Sequence, residues 1–516
     1  MQFYKALLLL LLTILIVIVL KLPENLSTTV NWSHPVLNFD SSFRILLIPF
    51  LLVAFLVALP AKNLSFSEML PFLTYTISSL CVILSKQIIL VIIFCELMAI
   101  SASFIIAACS KDNGPAVRYA CIHFFAGIIL TAGLAVQSSN LIIIGLLINC
   151  ACFPFSFWVV DGYPAASLHG TVYLSLFTTK VSFLVMFLHT YRAHTETLAF
   201  LGSITAIYSI IFASLEQNIR RFLCYNVVGQ MGLLILAGSL LNPSEKAIPI
   251  LILHIIFSLV YQSLLFTVAN SVILQTKMTS FNGASKLMSV EGICAIIAIL
   301  TMAAFPGTAG FISKSYIAAE MKMKGTDLEL YKNLYKILNL LLYLSVGLKF
   351  LYYIFIAKSK SKPSEGKECR MTIISLASIC VIAGNPYLPI YNKPSIFNFV
   401  YSTKNIWSQF NLLLCTTLLF IPLRKFFLPR INFKMDIDWI FRALIPHAVS
   451  LSNELIFKIR EISASTLQNL TNSLASLYSN NATKLKKVFN YNSVSFVSAS
   501  SLFLVGILLV LLCLSR

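Results

Sequence analysis

The chain has 516 residues, of which 58% are apolar and only 11% are charged. Soluble proteins carry about 25% charged residues, and the mean hydropathy of +0.87 also excludes an ordinary soluble protein. The formal charge of +19 is better explained by basic loops that contact anionic lipid headgroups than by nucleic acid binding. We expect a polytopic membrane protein whose surroundings are the lipid bilayer, with no nucleic-acid partner.

The first apolar segment, MQFYKALLLLLLTILIVIVLK, has the positive charge and apolar core of a signal peptide. No small-x-small cleavage site precedes KLPENLS, and we therefore expect a retained membrane anchor. Retention of this segment adds one N-terminal helix to the predicted spans.

Apolar stretches of about 17–25 residues recur along the chain, and each is long enough to cross the bilayer as a helix. They predict an all-α polytopic fold with about fifteen transmembrane helices. The predicted spans lie near residues 6–20, 44–60, 69–85, 88–110, 117–136, 140–160, 170–190, 198–215, 222–241, 247–272, 288–319, 335–357, 371–390, 407–423 and 496–515. The resulting regions are 1–68 (N-terminal spans), 69–190 and 198–357 (two repeats), 358–430 (additional C-terminal spans), 431–495 (an amphipathic lateral segment) and 496–516 (the final transmembrane helix).

Basic loops predict the orientation of these helices. A cytoplasmic N-terminus places the densest basic loop, KSKSKPSEGKECR at 358–370, on the cytoplasmic side. Loop 111–118 falls on the same side, whereas Lys322 and Lys324 face outward. Because cytoplasmic loops carry an excess of Lys and Arg, we expect a cytoplasmic N-terminus in a multi-pass protein of the bacterial inner membrane.

A soluble-looking stretch at 431–493 separates the last two predicted spans. Its apolar residues repeat at spacings of three and four, at Leu467, Leu470, Leu474 and Leu477. One apolar stripe with a polar reverse face is typical of a helix that lies on the membrane or on partner subunits. A solvated linker is the alternative.

Four ionisable residues lie inside apolar segments: Glu96, Lys180, His254 and Lys314. A charge at the centre of a membrane helix costs about 2.5–3.5 kcal/mol on insertion scales, so such groups usually face a polar interior. Each also has a simpler explanation: a lysine near a helix end can snorkel, His254 can be a packing residue, and Glu96 can pair with a neighbouring base. A proton or ion pathway explains all four together, since proton transfer needs titratable groups bridged by water.

Two apolar segments carry a Phe-Pro pair inside the run or at its end. They are INCACFPFSFWVVDGYPAAS, with Pro154, and MAAFPGTAGFISKS, with Pro306, Gly307 and Gly310. Discontinuous helices at corresponding positions are typical of inverted-repeat transporters, in which unwound backbone lines the ion path. We therefore expect two inverted five-helix repeats, each with one broken helix.

These segments, taken in order, resemble motifs of the proton-translocating antiporter-like family. The family includes subunits A and D of Mrp-type cation/proton antiporters and the antiporter-like subunits of respiratory complex I. CELMAIS resembles the acidic WELMSLS helix, and FPFSFWVVDGYPAA resembles PFHxWLPDAYPAAP. LEQNIRRFLCYNVVGQMG resembles DIKRLLAYSSISQMG, and FPGTAGFISK resembles PPLSGFWSK. The ordered match covers about residues 69–357.

The resemblance implies a row of charged residues along the membrane midplane. Glu96 is then the acidic residue of the first repeat, and Lys180 is its second lysine. Lys314 belongs to the second broken helix, and His254 belongs to the connecting helix.

The chain departs from the family pattern at three pathway positions. The lysine of the first broken helix is replaced by Asn149, and Ser258 and Gln262 replace the later residues of a His-x-x-x-His-x-x-x-Lys pattern. Asn, Ser and Gln can hold water but carry no charge. Glu96 thereby loses its usual cationic neighbour, and we expect its carboxyl to be either protonated or paired with another group, such as Lys180.

The resemblance implies a membrane subunit of a multisubunit monovalent cation (Na+)/proton antiporter, whose partners are other membrane subunits, protons and Na+. The alternative is a proton-pumping membrane subunit of an NADH-quinone oxidoreductase or of a membrane-bound hydrogenase. A third alternative, a non-conducting scaffold subunit, rests on the neutral residues at the three pathway positions. The chain has no flavin, nicotinamide or iron-sulfur motif, and its twelve scattered cysteines form no metal-ligand cluster. We expect no cofactor, no metal site and no catalytic residue.

Overall fold

The computed structural model describes most of the chain up to residue 427. The described residues are 2–21, 26–28, 37–39, 41–61, 64–109, 112–189, 194–241, 247–281, 288–323, 328–357, 369–388, 391, 399–427 and parts of 439–465. The chain divides into two units, Met1–Trp439 and Ile440–Arg516. The first unit contains all the helices discussed below, and the described residues of the second include helical turns at 447–454. Most of the predicted amphipathic segment and all of the predicted span 496–515 lie outside the described residues.

The described part of the chain is almost entirely helical. Its helices are α1 (Gln2–Lys21), α2 (Ser41–Ala58), α3 (Phe66–Leu84), α4 (Ile88–Ala107), α5 (Gly114–Ala135), α6 (Ser139–Asn149), α7 (Phe157–Gly162), α8 (Leu168–Leu174), α9 (Thr178–His189), α10 (Thr195–Leu215), α11 (Ile219–Leu241), α12 (Ala247–Thr276), α13 (Ser289–Met302), α14 (Ala309–Met323), α15 (Glu329–Leu342), α16 (Lys349–Leu351), α17 (Arg370–Ile382) and α18 (Thr403–Leu423). Two π-helical segments, Tyr343–Leu348 and Tyr352–Ile356, flank α16. Two short strands, β1 (Leu26–Thr28) and β2 (Leu37–Phe39), pair in antiparallel register.

Ten helices within the described residues are long and apolar enough to cross a membrane. Four more are apolar but shorter, namely Ile45–Ala58, Ser139–Asn149, Ser289–Met302 and Arg370–Ile382. These helices confirm a polytopic helical membrane protein. The total of about fifteen spans and the inverted symmetry of the repeats stay predictions.

Two of the predicted spans contain a break, which the Phe-Pro pair predicts for 140–160 and which nothing in the sequence predicts for 170–190. The span at 140–160 stops at Asn149 and resumes only as the short α7, which begins at Phe157. The span at 170–190 is interrupted between Leu174 and Thr178, so it comprises α8 and α9. Hydropathy counts apolar residues over a window, and it therefore does not register a short break within an apolar run.

Helices α11 and α12 form the centre of the first unit. Nearly every residue of α11 is buried, and α12 contacts α2, α8, α11, α13, α14 and α17. Helices α10 and α11 approach so closely that only glycine fits at two contacts. A Cβ at Gly202 would lie 2.7 Å from Leu236 N, and one at Gly232 would lie 2.6 Å from Ala206 N. Small residues at such contacts let membrane helices pack backbone to backbone. The polar side chains of the central helices are thereby enclosed by protein.

The groups at the interruption after α6 find hydrogen-bond partners within the protein. After α6, the Phe153 N–H donates to Thr205 Oγ1 at 3.0 Å, and Trp158 Nε1 donates to Ile148 O at 3.0 Å. Pro154 lies in this link. Non-helical backbone at membrane depth persists only where such partners replace the lost helix bonds.

The link between α13 and α14 holds Pro306 and Gly307. Gly307 has φ +89°, in the region that favours glycine. A Cβ at Gly310, in the first turn of α14, would collide with Thr301 O. These residues let the chain turn sharply and bring the start of α14 against the end of α13.

Candidate functional site

The polar side chains predicted from the sequence are carried by separate helices of the first unit. Glu96 lies on α4, Lys180 on α9, His254 on α12 and Lys314 on α14. The two lysines and His254 are between 1% and 4% exposed, whereas Glu96 is half-buried. Snorkelling to the interface therefore does not describe either lysine.

Glu96 points from α4 onto α5. A Cβ at Gly127 would collide with Glu96 Oε1 and lie 2.7 Å from its Cδ, so the carboxyl occupies the space that a larger residue would fill. Glu96 Oε2 is buried and has no hydrogen-bond partner among the described residues. Because a buried polar atom without a partner costs about 1–3 kcal/mol, this oxygen marks a place where a proton or water can be held.

Asn149 contacts a residue that the sequence analysis did not single out. Its Oδ1 lies 2.8 Å from His123 Nδ1, and both residues are buried. The His123 ring packs against Tyr119 at 4.3 Å and against Trp158 at 4.5 Å between ring centroids. His123 Nε2 is buried without a partner among the described residues.

Lys180 lies just beyond the interruption between α8 and α9. Its Nζ donates to Ser175 O at 2.7 Å, a carbonyl that the break leaves without a helix bond. Carbonyl oxygens at a helix C-terminus carry partial negative charge, which favours a cation there. Of the two alternatives for Glu96, pairing with Lys180 is not formed in this structure, because Lys180 binds this carbonyl and Glu96 Oε2 has no partner among the described residues.

Lys314 occupies a comparable position at the second break. Its Nζ donates to Met302 O, at the end of α13, and to Asn339 Oδ1 on α15, both at 2.5 Å. The preceding residue, Ser313, has its Oγ 3.0 Å from His254 Nδ1. The structure thus brings His254 next to the residue that precedes Lys314.

The two neutral pathway positions on α12, Ser258 and Gln262, differ from each other in their hydrogen bonding. Ser258 Oγ donates to Ile255 O of its own helix at 2.8 Å, and Gln262 Oε1 is buried with no partner among the described residues. On the preceding residue, Tyr261 OH donates to Gln230 Oε1 of α11 at 3.0 Å. Residues 258–262 of α12 are therefore polar but include no Asp, Glu, His, Lys or Arg.

Two arginines hold the loop that follows the first broken helix. Arg118 forms a two-bond ion pair with Asp161, at 2.6 Å and 3.1 Å. Arg220, at the start of α11, donates to Ala166 O at 2.7 Å, to Ser167 O at 3.1 Å and to Thr171 Oγ1. The motifs FWVVDGYPAAS and NIRRFLCYN therefore meet, and arginine fixes the backbone between α7 and α8.

The sequence analysis also missed two buried ionic groups in the second half of the unit. Lys349 is fully buried, and its Nζ donates to Ala213 O, Ser214 O and Glu216 O at 2.8 Å each, at the end of α10. Glu291 is fully buried and pairs with Arg370 at 3.3 Å. His123 and Lys349 lie within predicted spans, so the criterion applied to His254 and Lys314 would have found them.

Fold and site together define the class of protein: a membrane protein, almost entirely helical in its described residues, whose interrupted helices enclose acidic and basic side chains. Residues 123–328 match the family model described as NADH:quinone oxidoreductase/Mrp antiporter, TM. The predicted resemblance is thereby confirmed. Over these 206 of its 516 residues, the chain is similar to antiporter-like membrane subunits of the Mrp/complex I family.

Curated relatives match over part of the chain. NADH-quinone oxidoreductase subunit N of Bacillus anthracis is 28% identical over 197 residues, which are 34% of this chain and 38% of the relative. The subunit N of Cytophaga hutchinsonii is 26% identical over 193 residues, 35% and 42% respectively. NADH-ubiquinone oxidoreductase chain 2 of Dictyostelium discoideum is 25% identical over 237 residues, 42% and 46% respectively. The match thus spans less than half the length of these relatives.

Solved structures share the fold over a longer range. A chain of the Mrp complex from Dietzia sp. DQ12-45-1b superposes with a TM-score of 0.72 at 16% identity, covering 86% of this chain and 56% of that chain. A chain of the membrane-bound sulfane sulfur reductase, an archaeal respiratory membrane complex, gives 0.65 at 17% identity, covering 99% and 94%. A chain of respiratory complex I from Thermus thermophilus gives 0.62 at 17% identity, covering 74% and 92%. At these identities the likeness concerns the fold alone.

Proposed function

We propose that the chain is a proton-translocating membrane subunit of a multisubunit complex that exchanges a monovalent cation, such as Na+, for protons. The observation that carries the proposal is the set of buried or half-buried titratable residues on five helices of the first unit: Glu96, His123, Lys180, His254 and Lys314. Ionisable groups inside membrane helices are costly and commonly mark a proton or ion path. Four of the five, all except Glu96, lie next to a helix break or contact a residue of an interrupted helix.

The contacts of the two lysines support a transport role over a purely structural one. Neither Lys180 nor Lys314 forms an ion pair among the described residues, and each Nζ is held by oxygens that carry no net charge. A lysine without a carboxylate partner can lose its proton without leaving a buried anion unpaired. Both side chains can therefore change charge as a proton passes.

A second candidate function is that of a proton-pumping membrane subunit of an NADH-quinone oxidoreductase. The names of the curated relatives favour this candidate, and a likeness in fold to a complex I chain accompanies it. The proton path would be the same. Only the source of energy would differ, because the redox sites would belong to partner subunits.

Vesicles that contain the purified complex and an internal pH dye distinguish the two functions. We expect an imposed Na+ gradient, with no electron donor present, to move protons. Proton movement that requires NADH and a quinone, and that ignores Na+, would replace the antiporter with the second candidate. If neither condition moves protons while the complex is intact, the scaffold alternative takes their place.

We also propose that the chain works only together with other membrane subunits. Its structural neighbours are chains of multisubunit complexes, and the amphipathic pattern at 431–493 offers a surface for partners. Purification in mild detergent followed by subunit identification should recover partner proteins. A monomer that exchanges cations by itself in vesicles would contradict this proposal.

The orientation proposed from the basic loops places the N-terminus and loop 358–370 in the cytoplasm of a bacterial cell. The dense positive charge of that loop supports this placement. Reporter fusions after Lys367 should be active on the cytoplasmic side, and fusions after Ser33 on the opposite side. Exchange of the two results would reverse the orientation, and identical results would overturn the span count.

A further inference from the structure

The Glu96 carboxyl and the His123 ring lie on the same face of α5. Gly127, against which the carboxyl packs, follows His123 by four residues. Residues four apart on an α-helix lie on one face, about 6 Å apart along the axis. Glu96 Oε2 and His123 Nε2 are both buried without partners among the described residues. One acid and one base with unused hydrogen-bonding capacity thus lie one helical turn apart.

Asn149 sets the tautomer of this histidine. The amide Oδ1 can only accept a hydrogen bond, so His123 Nδ1, at 2.8 Å, carries the donated hydrogen. In the neutral ring Nε2 then has a free lone pair. Packing between Tyr119 and Trp158 holds the ring, and Nε2 is left as its proton-accepting atom.

A group of hydroxyls continues from His123 towards α9. Tyr119 precedes His123 by four residues and has its OH 3.4 Å from Thr178 Oγ1. Thr178 begins α9, two residues before Lys180, and also contacts Tyr75 OH at 2.6 Å. Polar atoms therefore connect the surroundings of His123 with the start of the helix that carries Lys180.

We propose that His123 exchanges a proton with Glu96 and is the transfer residue between Glu96 and the hydroxyl group at the start of α9. This inference rests on the proposed function. In the forward step the O–H bond of the Glu96 carboxyl breaks and an N–H bond forms at His123 Nε2, directly or through one water. The products are a carboxylate and an imidazolium, and no electron is transferred. Asn149 is a positioning residue, which keeps Nε2 as the acceptor.

The test compares His123→Phe with the unmodified complex in pH-dye vesicles. Phenylalanine keeps the ring packing against Tyr119 and Trp158 but removes both nitrogens. We expect the proton flux to fall by about 100-fold, the lower range for loss of a positioned acid–base group. His189→Phe, the same change at the exposed end of α9, should leave the flux unchanged.

His123→Phe leaves the Asn149 amide without its partner, so a second variant combines His123→Phe with Asn149→Leu. Removing both polar groups avoids the cost of an unpartnered one. Loss of flux in an assembled single or double variant supports the proposal. Normal flux, or failure of both variants to assemble, overturns it and makes His123 a packing residue. Absence of flux in the unmodified complex would instead refute the proposed function itself.

The pH dependence of the proton flux separates the two roles of His123, because a purely packing role would not change it. Asn149→Asp keeps an oxygen acceptor for His123 Nδ1 but adds a carboxylate, which stabilises the imidazolium. The nearby titratable groups are Tyr119, which contacts the ring, Tyr163, which contacts Tyr119, and Glu96, which packs against Gly127 one helical turn away; none of them is changed. We expect the profile to move by about one pH unit or more. An unchanged profile in a conducting Asn149→Asp complex would contradict proton transfer through His123.

Discussion

The regions around Lys314 and around Glu96, which are the two ends of the proposed pathway, differ in how their buried polar groups are partnered. Lys314 Nζ has two acceptors on two other helices, and its neighbour Ser313 contacts His254. At the other end, Glu96 Oε2 and His123 Nε2 have no partner among the described residues. The region around Lys314 is already arranged by protein contacts, whereas the region around Glu96 has hydrogen-bonding capacity left for a proton or water.

Within the proposed pathway, this difference separates two roles. A carboxyl and an imidazole with unused capacity can take up and release a proton with little rearrangement. A lysine bound by two oxygens must give up a hydrogen bond when it loses its proton. We infer that the end of the row at Glu96 admits and passes protons and that Lys314 responds to them.

The largest effect should come from removing the titratable groups of Glu96 and Lys180. Glu96→Gln and Lys180→Ala should each abolish ion movement, because each deletes a titratable group that no neighbour replaces. Flux in pH-dye vesicles is the measurement, with subunit composition as the check on assembly. Glu329→Gln, at the exposed start of α15, is the matched control and should transport normally. Normal transport by both assembled variants would show that the row does not conduct.

A smaller effect should follow when Lys314 is left with a single hydrogen-bond acceptor, as Lys180 has. Asn339→Leu leaves Lys314 with only the Met302 carbonyl, as Lys180 has only the Ser175 carbonyl. We expect roughly a tenfold change in the flux, equivalent to one hydrogen bond of about 1.4 kcal/mol. Asn405→Leu, which removes a bond to Ser315 instead, should leave the flux closer to that of the unmodified complex. If the two variants behave alike, the second contact of Lys314 does not matter for transport.

The smallest effect on transport should come from Lys349, although its effect on stability should be clear. Lys349→Met removes the donor to three backbone carbonyls at the end of α10, at a cost of at least about 1–3 kcal/mol. The unfolding temperature in detergent should fall, while the flux per assembled complex stays unchanged. Lys336→Met, at an exposed position of α15, should change neither. Loss of flux in stable complexes would add Lys349 to the pathway.

Hydropathy and residue type were enough to predict the helical class and the placement of four polar residues inside it. They were not enough to predict the break between α8 and α9, where the sequence YLSLFTTK contains neither proline nor glycine. The break persists because distant groups satisfy its backbone: Tyr75 OH accepts from Thr178 N at 3.2 Å and donates to Leu174 O at 3.1 Å. Such partners are set by the folding of α3 against α9 and are invisible in a local pattern.

The departure at Asn149 shows the other limit of the sequence. A neutral residue where related chains have a lysine suggested a damaged pathway. In the structure this amide binds His123, which approaches from another helix. His123 itself was detectable as a lone histidine in the run YACIHFFAGIIL. Its relation to Asn149 was not, because the two residues lie 26 positions apart.

The π-helical segments on either side of α16 affect how scanning mutagenesis of residues 329–356 should be interpreted. Asn339 and Lys349 lie on one continuous helical rod, but the segment Tyr343–Leu348 between them winds with more residues per turn than an α-helix. A helical wheel drawn at 100° per residue therefore assigns Lys349 to the wrong side of the rod relative to Asn339. Cysteine-accessibility or tryptophan scans from 329 to 356 should accordingly show a shift of phase near Tyr343. A scan that kept one regular phase throughout would mean that the rod is uniformly α-helical in the membrane.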